Sequence, residues 1–163
     1  MNCAYVAMGS NKGRRQAALR RALERMAGLP GTRIVGVADF RETDPVAAPA
    51  GSPKFINGAV ALETELGPRE LLEALLRIES ELGRDRSGEP KNGPRTIDLD
   101  LLLYGDLVVH EPGLELPHPR MQEREFVLGP LAQIAGEVRH PVLQATISEL
   151  LGRLQVALRT GVA

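Results

Sequence analysis

The chain has 163 residues, 43% of them hydrophobic, and a formal charge of -1. That length suits one domain burying roughly 70% of its unfolded surface, so residues 1–163 are expected to form a single unit. Near-neutral charge excludes bulk electrostatic binding to nucleic acid. Two Tyr, three Phe and no Trp are too few for a base-stacking platform, and the lone Cys3 excludes both an intrachain disulfide and a thiolate metal site.

The first apolar run, Asn2 to Met8, reads as a buried strand ended by Gly9-Ser10-Asn11. It is only about six apolar residues long, too short for a signal peptide, and no stretch approaches a membrane span. A cytoplasmic location is expected. Residues 14–27 carry Ala18, Leu19, Ala22, Leu23 and Met26 at helical spacing, stopped by Gly28 and Pro30. Ile34 to Phe40 gives a second strand, and Phe55 to Glu63 a third after a loop rich in Pro, Ala and Gly. Gly67-Pro68 opens a second helix with the stripe Leu71, Leu75, Ile78 and Leu82, capped by Gly83. A strand over 96–104 follows. This order predicts an α+β fold, a ferredoxin-like βαββαβ core with a sheet covered on one face by two helices. C-terminal additions are a short strand near Leu107 to His110 and a helix near Ala145 to Leu158. Pro112, Pro117, Pro119 and Pro130 make 111–130 read as irregular.

The strand over 96–104 carries the chemistry. Side chains alternate along a strand, so Asp98 and Asp100 share one face, about 6.6–6.8 Å apart along it, while Ile97, Leu99 and Leu101 take the other. Two carboxylates so close repel, and burying either one unpaired is costly. A divalent cation, or a nearby set of cations, removes both problems, and Mg²⁺ prefers few carboxylates plus phosphate oxygens. Just upstream, Arg84, Arg86, Lys91 and Arg95 form a basic loop suited to nucleotide phosphates. A second cluster is Pro117-His118-Pro119-Arg120-Met121, whose flanking prolines hold His118 in extended chain, with Arg124 and Phe126 close behind. Asn57 interrupts an apolar strand, and its donor-plus-acceptor edge matches a heterocyclic amide. Gly9-Ser10-Asn11-Lys12-Gly13 lacks P-loop spacing and reads as a strand-to-helix turn.

Four stretches resemble the 6-hydroxymethyl-7,8-dihydropterin pyrophosphokinase family: Ala4 to Asn11, Phe55 to Thr64, Gly93-Pro94-Arg95-Thr96-Ile97-Asp98-Leu99-Asp100, and Pro117 to Met121. The resemblance implies transfer of pyrophosphate from ATP to the pterin hydroxymethyl group, giving AMP. It implies two Mg²⁺ on Asp98 and Asp100, with Arg84 and Arg95 as catalytic-loop arginines. Arg86, Lys91, His118 and Arg124 become ATP contacts. Thr43, Val46, Phe55, Asn57 and Phe126 become pterin contacts. The implied partners are these two small molecules alone, with no nucleic acid or membrane, and a monomeric chain. The chain departs from the family at Asn92, where many members carry Trp, at Gly113, where some carry an ATP-contacting Arg, and in the Ala-rich 43–54 segment. A nucleotidyltransferase also uses Gly-Ser and a strand Asp-x-Asp, but Gly9-Ser10 lies nearly ninety residues upstream of the acids. A ferredoxin-like nucleic-acid module would need sheet aromatics where the acids stand.

Overall fold

The continuous apolar run of β1 (Asn2–Ser10) forms a strand whose residues from Ala4 to Ser10 are all buried, as only a strand covered on both faces can be. The computed structural model describes residues 1–11, 14–43, 51, 54–83 and 97–161. β1 lies between β4 (Phe55–Thr64) and β5 (Asp98–Tyr104), antiparallel to both. β2 (Thr32–Val37) pairs antiparallel with the far half of β4, giving the order β2-β4-β1-β5. The helices α1 (Arg15–Ala27) and α2 (Pro68–Glu81) connect the strands. Beyond β5 come the hairpin of β6 (Val109–Glu111) and β7 (Leu114–Leu116), then α3 (Glu125–Ala135) and α4 (Ile147–Thr160).

The predicted second strand over 34–40 is divided. β2 ends at Val37 and a separate β3 (Arg41–Thr43) pairs with the first residues of β4. A register shift between Ile34 and Gly36 bends the edge, and Asp39 N–H leaves the ladder to donate to Gln133 Oε1 at 2.8 Å. The first strand also runs two residues further than expected, through Gly9 and Ser10, because both continue in register with β4.

The sheet is covered on both faces, not one. Val6, Met8, Leu62, Leu99 and Leu101 pack with Leu19, Met26, Leu71 and Leu75 of α1 and α2. On the opposite face Tyr5, Ala7, Ala59 and Ala61 pack with Leu128, Leu131, Ile147 and Leu150 of α3 and α4. The irregular reading of 111–130 is likewise corrected, since α3 forms despite Pro130 inside it. A helix-interior proline costs about 3 kcal/mol. Full burial of Val127, Leu128 and Leu131, at about 1.5–3 kcal/mol each, outweighs that cost.

Two local devices give stability predictions. At the start of α4, Glu149 N–H donates to Thr146 Oγ1 at 3.1 Å while Thr146 N–H donates to Glu149 Oε1 at 2.9 Å. Thr146→Ala is expected to cost about 1 kcal/mol, a Tm drop of about 2–4 °C in thermal denaturation. His140 is buried, and its Nδ1 accepts N–H bonds from Val142 at 3.2 Å and Leu143 at 3.0 Å. Burial holds this imidazole below the ordinary histidine range, so the folded chain binds its proton less readily than the unfolded chain. Its contribution is therefore complete above about pH 6.5 and is lost as pH falls through the lower folded value. Urea midpoints should drop between pH 7.5 and 5.5, and the drop should shrink in His140→Gln.

Candidate functional site

Strand register assembles the site. Arg41, Asn57, Gly9 and Asp98 form one row across β3, β4, β1 and β5, with their side-chain positions on a single face. The next row on that face holds Ala59, Ala7 and Asp100. Thr43 pairs with Phe55 in the row on the other side. Further along, this face is covered by α3 and α4; at this end Phe55, Asp98 and Asp100 are half-buried, while Gly9 and Asn57 are buried. The floor is made of Gly9, Ala7 and Ala59, all small and all buried. Neighbouring strands lie about 4.8 Å apart, so Asn57 and Asp98 flank a floor roughly 10 Å wide.

On the β4 side, Asn57 is 6% exposed and its Nδ2 donates to Thr43 Oγ1. That bond turns the remaining amide oxygen toward Gly9, where a Cβ would stand 3.0 Å from it. Phe55 is half-buried beside them, its Cδ1 3.5 Å from the same point. On the β5 side, Asp98 and Asp100 are half-buried while Ile97, Leu99 and Leu101 enter the α1/α2 core, the alternation expected from sequence. Among the described residues no group of three or more His, Cys, Asp or Glu side chains gathers to hold a metal. Two hard carboxylates fit Mg²⁺, which keeps waters and takes phosphate oxygens, better than they fit a closed zinc site built on Cys and His.

His118 follows β7, and its N–H donates to Leu102 O of β5 at 2.9 Å, which seats the ring beside the acids. Burial lowers its proton affinity, the Arg124 charge acts in the same direction, and Asp98 and Glu115 oppose. It is therefore neutral at pH 7, and Nδ1 accepts Arg120 N–H at 3.3 Å, leaving Nε2 as the proton-bearing donor. Arg124 stands at the entry to α3, its Cζ 5.8 Å from the centroid of the half-buried Phe126 ring. Thus Thr43, Phe55 and Asn57 are brought together, as are Asp98, Asp100 and His118, with Arg124 and Phe126 as a third group. Val46, Arg84, Arg86, Lys91 and Arg95 lie outside the described residues.

Sequence reasoning passed over two elements of the site. One is Gly9, assigned to a turn but lying in the centre of the row; a glycine inside a strand is itself a signal of close approach. The other is a cavity of about 390 Å³ between α2, β5 and the β6–β7 hairpin, lined by Leu72, Leu76, Leu99, Asp100, Leu101, Glu111, Gly113, Leu114, Glu115, His118 and Pro119. Leu72 and Leu76 were legible as a pair four residues apart, one position off the core stripe of α2.

Fold and site together define the class: a small antiparallel α+β protein with carboxylates and a buried amide set on either side of one sheet end. Residues 5–136 match the family model for 7,8-dihydro-6-hydroxymethylpterin-pyrophosphokinase (HPPK). The chain is 46% identical over 137 residues to the 2-amino-4-hydroxy-6-hydroxymethyldihydropteridine pyrophosphokinase of Pseudomonas aeruginosa, covering 84% of this chain and 83% of the relative. It is 44% identical over 144 residues to the enzyme of that name from Bacillus subtilis, covering 88% and 84%. A solved Plasmodium falciparum HPPK-DHPS with pteroate superposes with a TM-score of 0.76 at 15% identity, over 98% of this chain and 43% of that one. This chain belongs to the 7,8-dihydro-6-hydroxymethylpterin-pyrophosphokinase family.

Proposed function

We propose that this chain transfers pyrophosphate from ATP to 6-hydroxymethyl-7,8-dihydropterin, giving AMP and the pterin diphosphate in folate biosynthesis. One observation carries the reading: the row Asn57–Gly9–Asp98, which sets an amide reader and an acid pair on either side of one floor. On this reading the buried Asn57 amide, held by Thr43, reads the pterin's own amide edge. Phe55 and Phe126 flank the ring, and Val46 adds a contact. The cavity beside Asp100 and His118, with Leu72, Leu76 and Leu99 in its wall, is of a size for a purine base.

In the transfer, the hydroxymethyl oxygen forms a bond to the β-phosphorus as the bond from that phosphorus to the α,β-bridging oxygen breaks. AMP departs with the bridging oxygen, and the hydroxymethyl proton is lost to solvent. There is little covalent work for the protein, and positioning with charge stabilisation carries the rate. Asp98 and Asp100 would hold two Mg²⁺, which neutralise phosphate charge when bound. His118 offers its ring N–H to a phosphate or ribose oxygen, and Arg124 adds charge. Arg84 and Arg95 are assigned to the transferred group, with Arg86 and Lys91 as further phosphate contacts. The strand order β2-β4-β1-β5, with two helical crossovers, supports a ferredoxin-like core for the single domain. We take the chain to act as a monomer in the cytoplasm on these two small molecules alone. No helix among the described residues is long and apolar enough to cross a membrane.

The test is turnover with Mg²⁺, the hydroxymethyl-dihydropterin and ATP labelled at the α- and γ-phosphates. AMP with the α-label and pterin with the γ-label establish the transfer. Label released as free pyrophosphate would point instead to nucleotidyl transfer.

A further inference from the structure

Glu79 stands on α2 within an otherwise apolar environment, 2% exposed, between Ile78 and Leu82 of the core stripe. A carboxyl group so buried is kept only where its oxygens find donors. One donor is specific: the Leu99 N–H gives its hydrogen bond to Glu79 Oε2 at 2.7 Å. Among the described residues β5 is the last strand of its sheet, paired on one side with β1. The Leu99 N–H is spent on Glu79 and so belongs to the side away from β1, an edge that no further strand covers among the described residues. Leu99 is also the residue between Asp98 and Asp100. A carboxyl on a rigid helix thus grips the backbone midway between the two acids. Strand edges without a partner strand are free to twist and fray, and a pair of ligands two residues apart is spoiled by either movement.

We propose that Glu79 is a positioning residue for the acid pair: by holding Leu99 N–H it fixes the pitch at which Asp98 and Asp100 present their carboxylates to metal. The proposal rests on the reading of Asp98 and Asp100 as metal ligands. The role requires no contact of Glu79 with substrate or metal. Its effect is that of an outer partner that orients ligands, a role whose loss typically weakens metal affinity 10–100-fold.

The experiment compares the whole wild-type chain with Glu79→Leu, Glu79→Gln and Asp98→Asn. Two readouts are followed: Mn²⁺ binding, by loss of the free-ion electron paramagnetic resonance signal, and exchange of the Leu99 amide by NMR. Glu79→Leu, which keeps volume and removes the acceptor, is expected to speed Leu99 exchange and to weaken Mn²⁺ about 10–100-fold. Glu79→Gln retains an acceptor oxygen and should recover most of both. A Glu79→Leu chain with fast Leu99 exchange but Mn²⁺ affinity within twofold of wild type overturns the proposal alone. Wild-type chain that binds no Mn²⁺, or binds it equally after Asp98→Asn, overturns the metal reading and the proposal with it.

The wild-type chain supplies a second measurement that does not depend on Glu79→Leu folding. Coupling between two sites is reciprocal. If the Glu79–Leu99 bond favours metal binding, saturating Mg²⁺ must further slow exchange of the Leu99 amide. Protection unchanged by Mg²⁺ overturns the proposal.

Discussion

Replacing Asp100 with Ala is expected to lower turnover at least about 10³-fold, about 4 kcal/mol of transition-state stabilisation, while leaving the fold in place. The two halves of that expectation have separate causes. Asp100 is half-buried on β5, and its backbone pairs with Ala7 whichever side chain it carries. The layers beneath, Leu99 and Leu101 on α1 and α2, are unaffected, so the loss of fold stability should be small. The chemistry has no comparable reserve, since no cluster of three metal-ligating side chains exists among the described residues. With Asp98 alone the phosphate charge would lose its neutralising partner. Asp98→Ala should act the same way and also free His118 of a negative neighbour, moving its titration further below the ordinary range. Thermal melting and Mg²⁺ titration on each variant separate the causes. An Asp100→Ala chain that folds, binds Mg²⁺ normally and turns over within tenfold of wild type would remove the acid pair from the mechanism.

The parts of this molecule legible in its sequence are those where one local rule decided the outcome. Period-two alternation gave the faces of Asp98 and Asp100, because Ile97, Leu99 and Leu101 had to enter a core. Helical spacing gave α2 with its stripe Leu71, Leu75 and Ile78. The apolar run of β4 made Asn57 conspicuous. What stayed hidden depends on contacts distant in sequence. Pro130 argues against a helix locally, and only the sheet face of Ala7, Ala59 and Ala61 offers α3 the burial that overrides it. Nothing local singles out Glu79 until α2 is laid on the edge of β5. Leu72 and Leu76 read as overflow of the core stripe until the β6–β7 hairpin encloses them. The turn reading of Gly9 failed for a similar reason, since Gly-Ser-Asn punctuates chains more often than it continues strands.

Gly9→Ala is expected to lower kcat/KM for the pterin about 10²-fold, a scale set by misplacing a positioning group by an ångström or less. Backbone strain plays no part, as Gly9 lies within a regular antiparallel ladder between Asn57 and Asp98. Removing a glycine from a strand even favours folding through the unfolded chain, by about 0.4–1 kcal/mol where the site accepts the methyl. The obstacle is the amide itself: the new Cβ would stand 3.0 Å from Asn57 Oδ1, with Phe55 Cδ1 at 3.5 Å and Ile56 O at 3.7 Å. Asn57 cannot retreat without breaking its bond to Thr43, so the amide tilts out of the plane in which it would read a pterin edge. The methyl also occupies the floor on which the ring would lie. The defect should fall on the pterin, with its KM raised and ATP binding within twofold of wild type, because the cavity beside Asp100 and His118 is lined by other residues. A double-mutant cycle makes the argument decisive. If Gly9 acts through the Asn57 amide, Gly9→Ala should cost little more in an Asn57→Ala background. Full additivity would mean that the methyl obstructs the floor directly and that the amide is not what Gly9 protects.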